Sequence, residues 1–427
     1  MNNVSSVPRG FALTIIVSGA LLLSACGGSA NAPSSAPAAA SSAPAATSPA
    51  PASSVASSSP AAASPSASAS SAGVSQPAAS ASTASGVDYA KAQIAKYTAM
   101  PQFVAPGPAF DAKQLAGKTI FNIPQMTTIP FLSATDTAMA AIAKRAGINF
   151  IEYPTQGQPN QWSQGIEQAV AQKVNALSIN ALDPRLVAPQ LQDAKTAGIP
   201  VTSAQFFDFS QSSEVPATVA ANRADDFTQA ARLEADWVIA DTGGKADVVI
   251  VENREQLSTL AMESALKDEF GAQCPSCKLT FINVPGTDWA TRIQPSVQSA
   301  LVQDPSVNYI IPIYDPMTQF VVPAITAAGM QGKVHIATFN GTPFALKMME
   351  DADVVRMDIG ENLDWLASAN MDEIMRTMLG LPPAPNEHTA LRVFTKQNVS
   401  DTGTPPAYNL GFGNAYVAGY NQLWKLS

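Results

Sequence analysis

The sequence predicts an α/β protein of two lobes, each built on a parallel sheet that helices cover on both faces. From Gly117 onward, short and largely apolar segments alternate with longer segments of helical periodicity, a pattern typical of buried parallel strands and their crossover helices. Gly147 and Gly198 stand where a helix should stop before the next strand. The alternation yields ten strands, which suit two lobes of five better than one lobe.

The first half of this region is regular. Its predicted strands are Lys118–Pro124, Asn149–Tyr153, Ala176–Ile179 and Pro200–Ser203. Its predicted helices are Thr135–Ala146, Gln161–Gln172 and Leu186–Ala197. This order predicts one complete sheet with helices on both faces.

The second half repeats the arrangement, and Gly243, Gly244 and Gly329 stand at expected helix ends. Its predicted strands are Ala217–Ala220, Ala246–Val251, Lys278–Val284, Tyr309–Pro312, Val334–Thr338 and Val354–Asp358. Its predicted helices are Asp225–Asp241, Leu257–Phe270, Thr291–Asp304, Met317–Ala328, Pro343–Asp351 and Leu363–Leu379.

Residues 1–25 are interpreted as a signal peptide, with one arginine followed by an apolar run from Phe11 to Leu23. That run is too short for a stable membrane-spanning helix, which needs about 20 residues. The sequence Leu23-Ser24-Ala25-Cys26 resembles a bacterial lipobox, which implies cleavage before Cys26 and acylation of that cysteine. Two or more acyl chains anchor a protein firmly. The alternative is an ordinary signal peptide that happens to precede a cysteine.

Residues 26–86 contain no charged residue and consist almost wholly of Ala, Ser, Pro, Gly and Thr. Such a segment buries too little apolar surface to offset its ordering entropy, so it is expected to be a disordered tether. Residues 87–116 are interpreted as a helical lead-in, and 397–427 as a tail whose Trp424 docks on a lobe.

The composition excludes several classes of function. A formal net charge of −9 argues against nucleic acid as a partner. Cys274 and Cys277 lack the two further ligands of a zinc site nearby. They also precede a strand, whereas a redox pair of this spacing normally opens a helix. A small structural disulfide is therefore expected in an oxidising compartment, with no metal, no cofactor and no role for the two histidines.

Four stretches together resemble the type I periplasmic sugar-binding proteins, the ribose-binding-like receptors of ABC importers. Ile129-Pro130-Phe131-Leu132 follows the first strand, and "AGIPVTSAQF" (197–206) runs from a helix into a strand and loop. "DPSVNYIIPIYDPMTQFVVPAITAAG" (304–329) and "IATFNGTP" (336–343) follow in the family's order. The resemblance covers residues 117 to about 394.

The resemblance implies two lobes joined by a hinge that the chain crosses three times. The N-lobe would comprise 117–221 and 361–396, and the C-lobe 222–360 and 397–427. A small ligand would bind in the cleft beside the carboxyl ends of the strands, and the lobes would close on it. The implied partners are a sugar-like ligand and an ABC permease, with the protein acting as a monomer.

Nine residues are predicted to contact the ligand: Phe131, Gln205, Phe206, Asn222, Arg223, Trp289, Asp315, Asn340 and Glu361. Three of them have a structural alternative. Phe131 could pack in a core, Asp315 could cap a helix, and Asn340 could form an Asn-Gly turn.

This sequence departs from the family pattern at the expected ligand contacts. Ile129 replaces an asparagine, Gln205-Phe206 replaces Asp-Arg, and Asn340 replaces an aspartate. Arginines near strand ends could supply a cation instead, namely Arg223, Arg254, Arg292 and Arg356. A sugar derivative, a polyol or another small neutral or acidic compound therefore remains open as the ligand.

Three rival functions were weighed. A transcriptional repressor core shares the implied fold but needs an N-terminal helix-turn-helix, where this chain has the lipobox and tether. An enzyme is not expected, because the sequence shows no Gly-rich phosphate loop, serine elbow or plausible catalytic histidine. A lipoprotein that presents its ligand to a sensor kinase or chemoreceptor remains an alternative to transport.

Overall fold

The computed structural model describes residues 78–385 and 387–426. The predicted signal peptide, Cys26 and the tether up to residue 77 lie outside the described residues. Within the described ranges, no helix combines the length and the apolar character needed to cross a bilayer.

The first sheet has five parallel strands in the order β2-β1-β3-β4-β5. They are β1 (Thr119–Pro124), β2 (Asn149–Glu152), β3 (Ala176–Asn180), β4 (Val201–Asp208) and β5 (Ala221–Asp225). The helices beside it are α2 (Pro130–Ala146), α3 (Pro159–Gln172), α4 (Ala188–Thr196) and α10 (Leu363–Met378). Successive strand residues face opposite sides, so Ile120 and Phe121 enter separate apolar cores on the two faces of the sheet.

The second sheet has six strands in the order β11-β10-β9-β8-β6-β7. They are β6 (Asp247–Glu252), β7 (Lys278–Asn283), β8 (Tyr309–Pro312), β9 (His335–Asn340), β10 (Val355–Glu361) and β11 (Leu391–Thr395). The helices between them are α5 (Phe227–Thr242), α6 (Leu257–Gln273), α7 (Trp289–Gln303), α8 (Asp315–Ala327) and α9 (Pro343–Asp351). All six residues of β6 are buried, because helices cover both faces of the sheet.

The two-lobed α/β fold class is confirmed. We call the parts built on the first and second sheets the first and second lobes. The chain crosses between them after β5, after β10 and again between α10 and β11. These are the three crossings that the family resemblance implies.

The first crossing lies later than predicted. The segment Ala217–Ala220 is not a strand, and β5 is Ala221–Asp225, still part of the first sheet. The C-lobe assignment of residues 222–225 was therefore wrong. This strand was missed because its sequence, Ala-Asn-Arg-Ala-Asp, is polar, and the buried ion pair of Arg223 with Asp225 replaces the usual apolar packing.

The strand β11 was not predicted, and it places residues 391–395 in the second lobe rather than the first. It pairs with β10 antiparallel, from Met357–Thr395 to Glu361–Leu391. The segment before it is rich in proline and forms no helix in its described residues, so β11 does not fit the strand–helix alternation from which the other strands were predicted. Of residues 361–396, which were predicted to belong to the N-lobe, only α10 and the connection after it lie in the first lobe.

The N-terminal helix begins inside the predicted tether. α1 (Ala78–Thr98) starts nine residues before the expected boundary and packs on α5 and α6 of the second lobe. Alanine is the best helix former, and Val87 and Ala90 join the second core. The side chain of any residue other than glycine at Gly86 would collide with Gln273, since a Cβ there would lie 2.0 Å from its carbonyl oxygen.

The lead-in and the tail meet on the first lobe. Beyond α1, the lead-in is helical only over Ala112–Leu115. The tail was predicted to belong to the second lobe. Val399 and Phe412 do join the second-lobe core, whereas the tail helix α11 (Ala415–Leu423) packs in a first-lobe core. The backbone NH of Phe110 donates to the carbonyl of Leu423 at 2.9 Å. The tail docks here because its aromatic residues need a partner core.

Candidate functional site

A cavity of about 430 Å³ lies between the two lobes. Its volume is in the range of roughly 300–1,000 Å³ that small-molecule sites occupy. Its polar lining consists of Gln125, Thr128, Gln205, Asp225, Asn253, Gln256, Ser258, Tyr314, Asn340 and Glu361. Its apolar lining includes Met126, Ile129, Pro130, Phe131, Leu132, Ala181, Phe227, Trp289 and Pro316. Nearly all of these residues follow or end parallel strands, whose carboxyl edges meet at the cleft.

Five of the nine predicted ligand residues line this cavity. They are Phe131, Gln205, Trp289, Asn340 and Glu361. They come from both lobes and from the end of the hinge strand β10. The sequence therefore identified residues of two walls that the chain brings together only through folding.

Three predicted residues lie elsewhere. Phe206 is buried outside the cavity lining, where it contacts Phe207 edge-on. Asn222 is half-buried on β5 and is not in the cavity lining. The guanidinium of Arg223 is buried and pairs with Asp225, which does line the cavity.

Asp315 neither lines the cavity nor caps a helix. It is the first residue of α8, and Tyr314 stands at the N-cap position. The Asp315 carboxylate is fully buried and accepts hydrogen bonds from the backbone NH and the hydroxyl of Thr342, both at 2.7 Å. Its role in the structure is to join the loop after β8 to the loop after β9.

The other proposed cations are also engaged elsewhere. Arg254 pairs with Glu252 and Glu263, Arg292 with Asp288, and Arg356 with Asp241 and Asp353. No lysine, arginine or histidine is among the described residues that line the cavity. The cavity therefore offers a ligand two carboxyl groups, amides and hydroxyls, but no cation.

The backbone is strained around the cavity. Six described residues other than glycine have positive φ, and three of them line the cavity: Ala181, Gln205 and Asn340. Their φ angles are 60°, 60° and 136°, in a region that L-residues rarely adopt. Such conformations cost of order 1–3 kcal/mol each and gather at functional sites. Asn340 is the last residue of β9, so the Asn-Gly turn weighed as its alternative is not seen at this position.

Two residues of the lining hold buried polar atoms without partners. In the described part of the chain, neither Oε1 nor Nε2 of Gln205 has a hydrogen-bond partner, and Oδ2 of Asp225 has none. A buried polar group left unpaired costs about 1–3 kcal/mol. These three atoms can therefore receive hydrogen bonds from a ligand, or donate to it, without breaking existing bonds.

The two carboxyl groups of the cavity resist ionisation. Burial, followed by the charge of Asp225, raises the pKa of Glu361 to about 8. Burial also raises the pKa of Asp225, against the opposing effect of Arg223. A protonated Glu361 can donate a hydrogen bond as well as accept one, which suits hydroxyl groups.

The aromatic walls present ring surfaces rather than polar edges. The indole NH of Trp289 donates to the carbonyl of Val284 at 3.1 Å. The Tyr314 hydroxyl shares hydrogen bonds with Ser258 and Thr259 at 3.0 and 3.2 Å. Both rings are thereby fixed, and their faces remain available for the apolar side of a ligand.

Sequence reasoning missed Asp225, Tyr314 and the residues between Asn253 and Ser258. Tyr314 directly precedes Asp315, so the correct strand end was found but the wrong neighbour was chosen. Asn253 directly follows β6, and its position at a strand end was the available signal. Within the described ranges, no group of His, Cys, Asp and Glu side chains could hold a metal ion.

Cys274 and Cys277 form a disulfide, with their Cα atoms 5.4 Å apart. It joins the end of α6 to the start of β7. The amino ends of parallel strands lie at the sheet edge opposite the cleft, so the disulfide belongs to the scaffold and not to the cavity.

Two comparisons with known proteins, one with family profiles and one with solved structures, agree with this architecture. The profile of the family described as "Periplasmic binding protein domain" matches residues 120–369. No curated protein matches the chain. Among solved structures, an ABC sugar transporter subunit from Rhodobacter sphaeroides is 19% identical with a TM-score of 0.58, covering 66% of this chain and 100% of that chain.

Two further structures were solved with ligands. A carbohydrate transporter from Acidothermus cellulolyticus in complex with myo-inositol is 20% identical, with a TM-score of 0.56 over 67% of this chain and 97% of that one. An ABC transporter solute binding protein from Agrobacterium vitis with bound allitol is 19% identical, with a TM-score of 0.58, and the match covers 68% of this chain and 99% of that chain. These likenesses show the fold. Because the family profile spans more than half of the 427 residues, the chain belongs to the periplasmic binding protein domain family.

Proposed function

We propose that this protein is an extracytoplasmic receptor that captures a small polyhydroxylated solute between its lobes and delivers it to an ABC importer. The observation that carries the proposal is that Gln205 and Asp225, which line a cavity between the two lobes, hold buried polar atoms without partners among the described residues. A ligand that pairs with these atoms and contacts both walls favours the closed arrangement of the lobes.

A neutral ligand fits the cavity better than an acidic one. An anion would face the carboxyl groups of Asp225 and Glu361 without a lining cation among the described residues. The acidic ligands that the sequence left open are therefore disfavoured. Sugars and polyols suit the amides and carboxyl groups, and the related structures named above hold myo-inositol and allitol.

A binding role suits the cavity better than catalysis. Among the described residues that line it, none is a cysteine, lysine or histidine. Tyr314 and Ser258 hydrogen-bond to each other. General acid–base or nucleophilic chemistry needs an activated group within hydrogen-bond reach of the reacting atoms.

Lipid anchoring through Cys26 remains part of the proposal, since this residue lies outside the described ones. Its support is the apolar run that ends in Leu-Ser-Ala-Cys. Replacing Cys26 with Ser is expected to move the protein from the membrane fraction to the soluble extracytoplasmic fraction. Retention of Cys26→Ser protein in membranes without detergent would contradict the anchor but not the binding function.

Binding can be tested directly with purified protein lacking residues 1–25. Myo-inositol, allitol, D-allose, D-ribose and D-glucose are titrated by calorimetry, with D-glucuronate as an anionic control. At least one neutral compound is expected to bind in the micromolar range or tighter, and D-glucuronate is expected not to bind. The proposed function would be contradicted if only the anion bound. It would also be contradicted if no compound bound from a wider set of sugars and polyols.

A further inference from the structure

The cavity has two chemically different ends, which follow from the strand order. β5 and β10 are the hinge strands, with β4 and β9 beside them. The ends of these four strands contribute Gln205, Asp225, Asn340 and Glu361 to the lining. The loop after β1 and the segment after β7 lie toward the other side of the two sheets. We call these two parts of the cavity the hinge end and the outer end.

The hinge end has hydrogen-bonding capacity that the protein itself leaves unused. Both polar atoms of the Gln205 side chain lack partners, as does Oδ2 of the buried Asp225. Asn340 has only a long contact of 3.5 Å, from its Nδ2 to the Glu361 carboxylate. This end therefore fits the hydroxyl groups of a ligand.

The outer end is mainly hydrocarbon. Within the loop after β1 and the first turn of α2, residues 126 and 129–132 are Met, Ile, Pro, Phe and Leu, and all five line the cavity. Trp289 adds its ring, since the indole NH is already bonded to Val284. Thr128 and Gln125 are the polar members of this loop in the lining.

Two of the three polar side chains that the second lobe adds to the outer end already make a hydrogen bond, and Gln256 is the third. Oδ1 of Asn253 accepts from the backbone NH of Glu255 at 3.1 Å. The Ser258 hydroxyl shares a hydrogen bond with Tyr314. The contrast between the two ends therefore rests on residue type: the outer end is mainly hydrocarbon, and the hinge end is formed by amide and carboxyl groups.

We propose that the ligand is amphipathic: a neutral polyhydroxy head held at the hinge end, bearing an apolar alkyl or aryl substituent that packs against residues 126–132 and Trp289. This inference rests on the proposed function and deepens it. An unsubstituted sugar or polyol would fill the polar end and leave hydrocarbon surface facing water. A substituent would remove that surface from water, a gain proportional to the apolar area buried.

Matched ligand pairs test the inference by calorimetry on protein lacking residues 1–25. Each pair is a free sugar and its phenyl β-glycoside or octyl β-glycoside, for D-glucose, D-galactose, D-xylose and D-ribose, with myo-inositol and its monomethyl ethers as a fifth series. For the head that binds, the substituted member is expected to bind at least tenfold more tightly. Its binding should also show a more negative heat-capacity change, the marker of apolar burial.

Two variants locate the effect. Met126→Ser and Phe131→Ser are both at half-buried positions of the outer end, and each is expected to reduce the ratio of substituted to free-sugar affinity by about tenfold. Two variants are used so that a folding defect in one does not decide the result. Leu186→Ser is the matched control, because Leu186 is an exposed first-lobe residue (57%) outside the cavity. It is expected to leave the ratio unchanged.

The outcomes separate this inference from the proposed function. Free sugars that bind as tightly as their substituted partners would overturn the inference and leave the function standing. A ratio that stays the same in Met126→Ser and Phe131→Ser would also overturn it, since the substituent would then lie elsewhere. If no member of any pair binds, and no other sugar or polyol does, the proposed function fails and the inference fails with it.

Discussion

Two buried polar clusters, one behind the cleft and one beneath the tail, differ in how fully their atoms are paired. The cleft cluster comprises Gln205, Asp225, Glu234, Asp315, Asp358 and Glu361. Gln205 and Glu234 have no side-chain hydrogen bond among the described residues, and the others have incomplete pairing. The cleft cluster therefore retains unsatisfied polar atoms, whose cost the fold must offset elsewhere.

The tail cluster joins α11 to α10 of the first lobe, and it consists of Asp372, Arg376, Glu387, Tyr420 and Trp424. Asp372 accepts from the indole NH of Trp424 and from the guanidinium of Arg376. The hydroxyl of Tyr420 donates to Glu387 at 2.6 Å. Every member thus has a partner, and Oε2 of Glu387 is the one buried polar side-chain atom of this cluster left without a partner among the described residues. The comparison teaches that burial alone does not identify a binding residue, whereas burial without a partner beside a cavity does.

The largest expected effect comes from a tryptophan of the tail cluster. Trp424 is fully buried, and Trp424→Ala removes a large side chain and leaves Asp372 without the indole NH. We expect it to lower the free energy of unfolding by about 3–5 kcal/mol, measured by urea denaturation. Trp289→Ala, in the half-buried cavity wall, should instead cost mainly ligand affinity. Equal stability losses in the two variants would break the comparison.

The next effect concerns a cleft-cluster residue that is paired. Asp315→Ala removes the acceptor of the Thr342 backbone NH and hydroxyl. Unfolding free energy of the unliganded protein should therefore fall by about 1–3 kcal/mol. We expect only a smaller loss of ligand affinity, through the displaced loop. A large affinity loss with unchanged stability would make Asp315 a ligand contact after all.

The sequence predicted the architecture because most strands are apolar and several helices end at a glycine. It failed where polarity hid a strand. The strand β5 reads Ala-Asn-Arg-Ala-Asp, so its end was placed at residue 220 instead of 225. That error led to Asn222 and Arg223 as ligand residues and concealed Asp225. The missed strand β11 follows a proline-rich connection and pairs only along one edge, with β10.

The candidate site was predictable only in part, for two physical reasons. Strand ends locate the cleft, but the direction of each side chain depends on the local backbone. Gln205 has a φ of 60° where the pairing of β4 with β5 is irregular, so the sequence could not separate Gln205 from Phe206. Whether a buried polar group is hydrogen-bonded depends on residues that lie far from it in the chain. Thr342 satisfies Asp315 across 27 residues, and nothing in the local sequence indicates this bond.

A smaller effect distinguishes two glutamines near the cleft. Gln211 is paired on both atoms: its Nε2 donates to the carbonyl of Leu257 and its Oε1 accepts from the backbone NH of Asp208. Gln211→Ala should cost about 1–2 kcal/mol of stability, at about 0.5–1.5 kcal/mol for each hydrogen bond. Gln205→Ala should leave unliganded stability nearly unchanged, since it breaks no bond. It should weaken binding about tenfold, or about 1.4 kcal/mol. The reverse pattern would place Gln205 in the scaffold.

The smallest effect is a pH dependence that the cleft cluster should impose on stability. Burial raises the pKa of Glu361 to about 8 and that of Asp315 to about 6. Burial, followed by the charge of Asp315, raises the pKa values of Glu234 and Asp358 well above their ordinary values. Between the ordinary and the raised pKa, the folded state holds a proton that the unfolded state has released. Stability must therefore fall as pH rises through that window.

Thermal unfolding at pH 5 and pH 8 measures this fall, with each kcal/mol worth roughly 2–4 °C of Tm in a chain of this size. Glu234 is buried, and its carboxylate oxygens have no partner among the described residues. Glu234→Gln keeps the shape of this side chain and removes its titration. We expect the difference in Tm between the two pH values to shrink by a few degrees or less. Glu167→Gln, at an exposed position of α3, controls for the loss of one acidic charge and should leave the difference unchanged. An equal effect of the two substitutions would mean that net charge, and not the unpaired cleft cluster, governs the pH dependence.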